Sequence, residues 1–364
     1  MGQPLRIGLI GCGAISRQYL ETAARLDDIA ITAAADLRAD RAADVASRYG
    51  TRALSVEALL ADPDVDLVLN LTVPAAHAEV AMLAIGAGKP VYGEKPLAAT
   101  TVDARAILDA AAAAGLRVGC APDTVLGTGV QTARKAIDDG RIGRPIAATA
   151  TMVTPGHERW HPDPDFYYQP GGGPLLDMGP YYITALVTIL GPVVAATGIA
   201  SHTRSTRTIA SGPRAGETIP VDTETHVTGV LVHASGVLST LLMSFDVVAS
   251  RAARIEIHGE AASLVVPDPN MFEGDVELRG LEAADWVTLP PSAGYRSASR
   301  GYGIADMAAT PVGVEPRAGG RLAYHVLDVM ESLLASASSG RAVDVSSRCE
   351  RPAPVPLGDL AGVM

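Results

Sequence analysis

Residues 6–16 read RIGLIGCGAIS, and the order of residue types in that stretch decides the reading of the fold. The apolar run from Arg6 to Ile10 suits a strand of a parallel sheet, and it leads directly into Gly11, Cys12 and Gly13 before a helical segment opens at Ile15. Glycines at a strand-to-helix turn allow a tight bend and a close approach of backbone to ligand, while the free N–H groups and dipole at the helix start favour an anion. The pyrophosphate of a dinucleotide fits this arrangement, with Gly11, Gly13, Ala14 and Ile15 as its contacts. Ser16 stands where a third glycine or alanine usually sits. Asp36 closes a second apolar run about 20 residues beyond the turn, where a carboxylate accepts hydrogen bonds from ribose hydroxyls and repels a 2'-phosphate. The stretch predicts NAD in preference to NADP, with Arg38 as the nearby charge that would offset part of the repulsion.

Outward from this turn, short β-branched or apolar runs alternate with alanine-rich amphipathic segments as far as about residue 122, the rhythm of βαβ units. Strands are expected at 6–10, 31–35, 67–71, 91–92 and 118–119, and helices at 15–26, 39–48, 56–61, 76–86 and 101–114. Gly88-Lys89-Pro90 and Gly115 punctuate their ends. After Asp123 the rhythm changes to a helix over 129–139, a Gly/Pro-rich segment, alternating strands at 225–233, 236–245 and 254–259, and an amphipathic helix over 322–336. The expected architecture is α/β: an N-terminal Rossmann dinucleotide-binding domain, 1–122, followed by an α+β substrate-binding and oligomerisation domain, 123–364, with a large, mainly antiparallel open sheet.

Composition narrows the partners. The chain has 364 residues, more than one hydrophobic core usually serves, and 48% of them are hydrophobic, which suffices for two. Apolar stretches such as 183–190 are interrupted well before the roughly 20 residues of a membrane span, and the segment before Gly11 lacks the features of an export signal. Twenty-nine Lys+Arg against 40 Asp+Glu give a net charge of -11, with no basic run to neutralise phosphates, so nucleic acid is not an expected partner. Cys12, Cys120 and Cys349 are far apart and odd in number, which argues against a disulfide framework and a zinc site and for a cytoplasmic, reducing location. Apolar alternation on strands 227–245 exceeds what one helical layer needs, so a homodimer or homotetramer is expected.

Two further stretches carry chemistry. Residues 73–98, VPAAHAEVAMLAIGAGKPVYGEKPLA, lead a helix and a strand into Glu94-Lys95-Pro96, and residues 171–181 read GGGPLLDMGPY, with Asp177 and Tyr181 one helical turn apart. With the glycine turn and Asp36, these motifs resemble the glucose-fructose oxidoreductase / inositol dehydrogenase / rhizopine catabolism (Gfo/Idh/MocA) family. That family carries Glu-Lys-Pro after the fourth strand and GGGxxxDxGxH at the start of a substrate-domain helix. The resemblance implies that Lys95 lies beside the nicotinamide and the reacting oxygen, where its ammonium would stabilise negative charge. Pro96 would stiffen the turn and is a candidate for a cis bond. Tyr181 replaces the histidine of many members, as tyrosine does in the glucose-fructose oxidoreductase, dihydrodiol dehydrogenase and xylose dehydrogenase branches, and so takes the proton-transfer role, with Asp177 orienting substrate or lysine. The competing reading has Tyr181 and Tyr182 packing a helix that Asp177 caps.

Thr72, Pro74, His77 and Glu94 complete the expected cofactor contacts, His77 as a helix-cap or cofactor-edge residue. Asp123 follows the last Rossmann strand, where family members contact nicotinamide or substrate. In the polar and aromatic segment 156–173, GHERWHPDPDFYYQPGGG, residues His157, Trp160 and His161 are expected to meet sugar hydroxyls alongside Lys95, Asp177 and Tyr181. His157 and His161 would suit a metal on a helix, but the surrounding Gly and Pro predict irregular structure, so no metal is expected. The implied activity is hydride transfer between NAD and a hydroxyl or ketone of a sugar, inositol or glycoside. An NAD-dependent glycosidase using transient oxidation and a non-catalytic NAD-binding sensor remain as alternatives.

Overall fold

A computed structural model describes residues 3–360 of the chain. They form two units. The first holds the chain up to Thr128, residues 293–324, and the chain from Pro352 on; the second holds 129–292 and 325–351. A single boundary near residue 122 therefore accounts for the first crossing only. The later segments belong with the first unit because hydrogen bonds bring them there: Cys120 N–H donates to the Ala318 carbonyl (3.0 Å) and Tyr295 N–H to that of Leu126 (2.9 Å).

The first unit contains β1 (Leu5–Ile10), β2 (Ile29–Ala35), β3 (Arg52–Ala53), β4 (Leu67–Asn70), β5 (Val91–Gly93) and β6 (Val118–Cys120). They form one parallel sheet in the order β3-β2-β1-β4-β5-β6. Its helices are α1 (Ser16–Ala23), α2 (Ala39–Tyr49), α3 (Val56–Ala61), α4 (His77–Gly86) and α5 (Thr101–Ala114). Ile7, Leu9, Val68 and Leu69 are fully buried, as strands covered on both faces must be. Local signals set the helix ends. Thr100 Oγ1 accepts the Asp103 N–H (3.1 Å) at the start of α5, and Gly115, in the left-handed region, ends it. The strand order reverses direction between β1 and β4, which opens a crevice at their C-terminal ends. The short β3 was not expected; it contributes two exposed residues, which carry no hydrophobic pattern.

The second unit begins with α6 (Thr128–Asp138) and β7 (Pro145–Val153). After α7 (Gly173–Leu190) come β8 (Val193–Ser201) and a two-stranded hairpin, β9 (Thr206–Thr208) and β10 (Thr218–Pro220). Then follow β11 (His226–His233), β12 (Leu238–Ser244), β13 (Ile255–Gly259), β14 (Ala262–Val266), β15 (Val276–Gly280) and β16 (Val287–Leu289). The helix α8 (Tyr302–Ala309) lies in the first unit, α9 (Gly320–Ser339) is divided at Tyr324, and β17 (Val343–Asp344) completes the second sheet. That sheet has nine strands in the order β16-β15-β14-β13-β7-β12-β11-β8-β17. It is antiparallel except where β7 meets β12.

Alternation along these strands separates two faces. Ala148, Ala150, Leu231, Leu241 and Met243 are buried, and α7 lies against β7, β11 and β12. On the opposite face Ile199, Val230 and Leu238 remain exposed. The helices approach each other closely at Gly179, where an added Cβ would stand 2.9 Å from Met330 Sδ and 3.2 Å from Leu175 Cδ1. Any side chain there would push α7 from α9. Among the described residues no helix is long and apolar enough to cross a membrane.

His325, on α9, is fully buried. Its Nε2 accepts the Val193 N–H (3.0 Å), which leaves Nδ1 to donate to Ser347 Oγ (2.7 Å). This is the neutral tautomer, and burial pushes its pKa from 6.5 down to about 4. Because the folded value lies below the unfolded one, the ring's contribution is fully present above pH 6.5 and is lost as pH falls through about 4. The full loss is about 3 kcal/mol. Urea unfolding of His325→Asn should therefore show a flatter dependence on pH between 6.5 and about 4 than wild type; equal slopes would show that the ring stays solvated.

Candidate active site

At the end of β1, Gly11 has φ +100° and an added Cβ would lie 2.6 Å from the Leu71 carbonyl carbon and oxygen, so only hydrogen fits. Gly13 is the opposite case: an added Cβ would meet nothing within 4 Å. Open space therefore faces the backbone just before α1, as a pyrophosphate cradle requires. Ser16 is 3% exposed and its Oγ donates inward to the Gly13 carbonyl (2.7 Å), so it closes the turn without protruding from it. Ala14 is exposed and Ile15 half-buried at the helix start.

Asp36 is tied to this turn. Its Oδ2 accepts the Cys12 N–H and its Oδ1 the Arg38 N–H, each at 2.8 Å. Both oxygens keep a lone pair for ribose hydroxyls. The Arg38 side chain is engaged with Asp40 (2.7 Å), which reduces its availability to a 2'-phosphate. Gly11, Gly13, Ala14, Ile15 and Asp36 thus fit a dinucleotide with unphosphorylated ribose.

The Glu94-Lys95-Pro96 turn follows β5 and is held from beneath. Glu94 accepts Tyr19 Oη–H from α1 (2.8 Å) and the Lys95 N–H (3.0 Å), and its own N–H donates to the Asn70 carbonyl (3.0 Å). The Lys95–Pro96 bond is cis, and Lys95 is half-buried. His77 is 2% exposed and sits under the turn, with Nδ1 2.6 Å from the Pro96 carbonyl and Nε2 3.1 Å from that of Thr72. Two carbonyls favour a second ring proton, but burial wins and pushes the pKa below its ordinary value. The shorter contact marks Nδ1 as the donor. His77 therefore braces the turn from its buried side. Thr72 Oγ1 donates to Asn70 Oδ1 (2.6 Å), while Pro74 is exposed and opens the short turn before α4.

Asp123 has no exposed surface. Its Oδ2 accepts the N–H groups of Gly301 (2.8 Å) and Gly303 (3.0 Å) at the start of α8, and burial pushes its pKa up to about 6. Its other oxygen, Oδ1, is buried without a hydrogen-bond partner among the described residues.

In the second unit, Asp177 and Tyr181 lie on α7, half-buried and 6% exposed respectively. His157 reaches Asp177 from the preceding segment, Nε2 to Oδ2 3.2 Å. Its ring packs among those of Trp160 (5.2 Å), Tyr167 (4.5 Å) and Phe245 (4.3 Å). Trp160 is 58% exposed, and His161 stacks edge-on against it at 5.4 Å. The segment is irregular, with turns at His157–Arg159 and Asp165–Tyr167, as its Gly and Pro content predicts.

What fixes this segment was not legible in the sequence. Arg207 on β9 is 2% exposed and bridges Glu158 (3.1 Å) and Asp246, while Tyr168 donates to Glu158 and accepts the His157 N–H (3.0 Å). The Asp246 carboxylate also accepts Thr225 Oγ1–H (2.6 Å). Each member, read alone along the chain, looks like a surface charge or a strand-end polar residue.

Residues 5–121 match the family described as "Oxidoreductase family, NAD-binding Rossmann fold", and residues 130–265 match the GFO/IDH/MocA C-terminal domain. A 1,5-anhydro-D-fructose reductase from Ensifer adhaerens is 30% identical over 356 residues, covering 94% of this chain and 99% of that protein. An inositol 2-dehydrogenase from Saccharopolyspora erythraea is 37% identical over 154 residues, covering 42% of this chain and 46% of its own. A crystal structure of an NAD binding oxidoreductase from Klebsiella pneumoniae shares the fold, with a TM-score of 0.81 at 22% identity over 95% of this chain and 100% of that one. The chain belongs to the GFO/IDH/MocA family of NAD-binding oxidoreductases.

Proposed function

We propose that this oxidoreductase transfers a hydride between NAD and a hydroxyl or ketone of a sugar, inositol or glycoside. The observation that carries the reading is the pair of prepared groups: a lysine on a turn braced by Glu94 and His77, and an Asp-Tyr pair one turn apart on α7 beside a polar, aromatic segment. Relatives named for anhydrofructose reduction and inositol oxidation support the substrate class. When bound, NAD supplies the hydride acceptor. In oxidation Tyr181, acting as the phenolate, takes the hydroxyl proton and becomes the phenol, the Lys95 ammonium stabilises the alkoxide and Asp177 orients the reacting groups; reduction reverses these roles, with the phenol returning the proton. Trp160 and His161 contact the remaining hydroxyls, with His157 standing beside Asp177. Cys12, Cys120 and Cys349, none of them in a disulfide among the described residues, fit work in the reducing cytoplasm.

The exposed apolar face of the nine-stranded sheet, with Ile199, Val230 and Leu238, supports a homodimer or homotetramer. Light scattering is expected to report two or four chains per particle, and a monomer at all working concentrations would remove this assignment. Asp36→Ser should raise the Kd for NAD and narrow the preference over NADP by roughly tenfold. Fluorescence titration with both cofactors tests this, and an unchanged preference would take Asp36 out of the site. Lys95→Ala should lower kcat by roughly a hundredfold or more while leaving NAD affinity intact. Tyr181→Phe keeps the packed ring and removes the proton path. The test is single-turnover hydride transfer, with deuterated D-glucose, D-xylose or myo-inositol, whichever is oxidised fastest. A Tyr181→Phe enzyme that transfers deuteride at the wild-type rate would assign the proton to another group.

A further inference from the structure

His157 and Asp177 form a contact that the roles above leave unused. We propose that His157 is a positioning residue for Asp177: it donates its Nε2–H to one carboxylate oxygen and so fixes the direction in which Asp177 faces the reacting hydroxyl. This rests on the reading that Asp177 works at that hydroxyl.

The proton's place follows from the partners. An ionised carboxylate only accepts, so at 3.2 Å the hydrogen belongs to His157 Nε2. Nδ1 is buried and has no hydrogen-bond partner among the described residues. A proton on Nδ1 would be an N–H with no acceptor among the described residues, so the geometry favours the tautomer that carries its hydrogen on Nε2.

The ring's position is fixed independently of Asp177. Both side chains are largely covered, at 12% and 18% exposure, and Tyr167, Trp160 and Phe245 close around the imidazole. The backbone N–H of His157 donates to Tyr168 Oη (3.0 Å). Tyr168 in turn donates to Glu158, which the buried Arg207 holds together with Asp246. A donor anchored through this network holds a carboxylate in one rotamer, whereas an unanchored carboxylate loses turnover through misorientation.

Two substitutions separate positioning from packing. His157→Phe keeps a ring in the aromatic cage and deletes the donor; His157→Gln sacrifices the ring and keeps an N–H near the Nε2 position. Positioning predicts that His157→Phe loses about ten- to a hundredfold in kcat, the worth of a hydrogen bond to a charged group, with the Kd for NAD unchanged, and that His157→Gln recovers most of the rate. A packing role predicts the reverse ranking and would overturn the proposal. Nitrogen NMR of the full-length protein with labelled histidine gives a readout that needs no substrate. Wild type should show His157 as the Nε2–H tautomer, and Asp177→Asn should abolish that preference; an Nδ1–H tautomer would also overturn it. Turnover of Asp177→Asn, with the same sugars as above, distinguishes the two levels. Wild-type turnover would end the underlying reading of Asp177. Loss there combined with an active His157→Phe would end only the role of His157.

Discussion

At Gly11 the end of β1 comes so close to the Leu71 carbonyl that only a hydrogen fits between them, and the geometry of the first unit's site follows from that approach. Leu71 N–H donates to the Ile10 carbonyl (2.8 Å), which aligns the ends of β1 and β4. From there the connections run in both directions. Asn70 takes the Glu94 N–H on its carbonyl, and its side-chain amide donates to the His77 carbonyl (3.0 Å). The His77 ring reaches Pro96, and Tyr19, on the helix opened by the glycine turn, donates to Glu94. The glycine turn and the lysine-bearing turn are therefore parts of one hydrogen-bonded frame. Such support is what the proposed role of the Lys95 ammonium would require.

The second unit solves the same problem with charge. Arg207, with Glu158 and Asp246, is an ionic cluster taken out of water, an arrangement whose net stability is small but whose disruption costs about 3–5 kcal/mol when one partner is removed. Its consequence is specificity of shape. A loop rich in Gly and Pro, without a sheet to pair with, is held by Arg207 from within and by Arg214, through Asp165 (2.5 Å), near its surface. Both arginines lie on or beside the β9–β10 hairpin. That insertion between β8 and β11 thus acts on the segment that precedes α7.

Much of the frame was legible in residue order because it rests on local rules. The bounds of α3 and α5 coincide with the amphipathic runs at 56–61 and 101–114, since Ser55, Thr100 and Gly115 cap them. Asp36, at a strand end, is tied to the glycine turn through the Cys12 N–H, a contact that its position beside the turn allows. What escaped notice depends on contacts distant in sequence. Asp123 holds Gly301 and Gly303 through Oδ2, about 180 residues away, a contact its place after the last Rossmann strand does not announce. His77 shares a pattern with cofactor-edge residues but turns inward. Arg207 and Asp246, 39 residues apart, carry no mark that distinguishes a buried ion from a solvated one. The return of 293–324 to the first unit rests on backbone hydrogen bonds and on Asp123 and Arg117 side chains that reach across about 180–190 residues.

The central claim is that this frame transfers a hydride to and from a polyhydroxylated substrate. The most direct measurement is the nicotinamide absorbance of the purified protein, with NAD or NADH, across free sugars, inositols, anhydro sugars and glycosides, with released sugar assayed in parallel. Hydride transfer predicts stoichiometric formation or consumption of NADH with at least one of these compounds and no bond cleavage. Release of free sugar without net NADH, or cofactor binding without turnover on any of them, would contradict it.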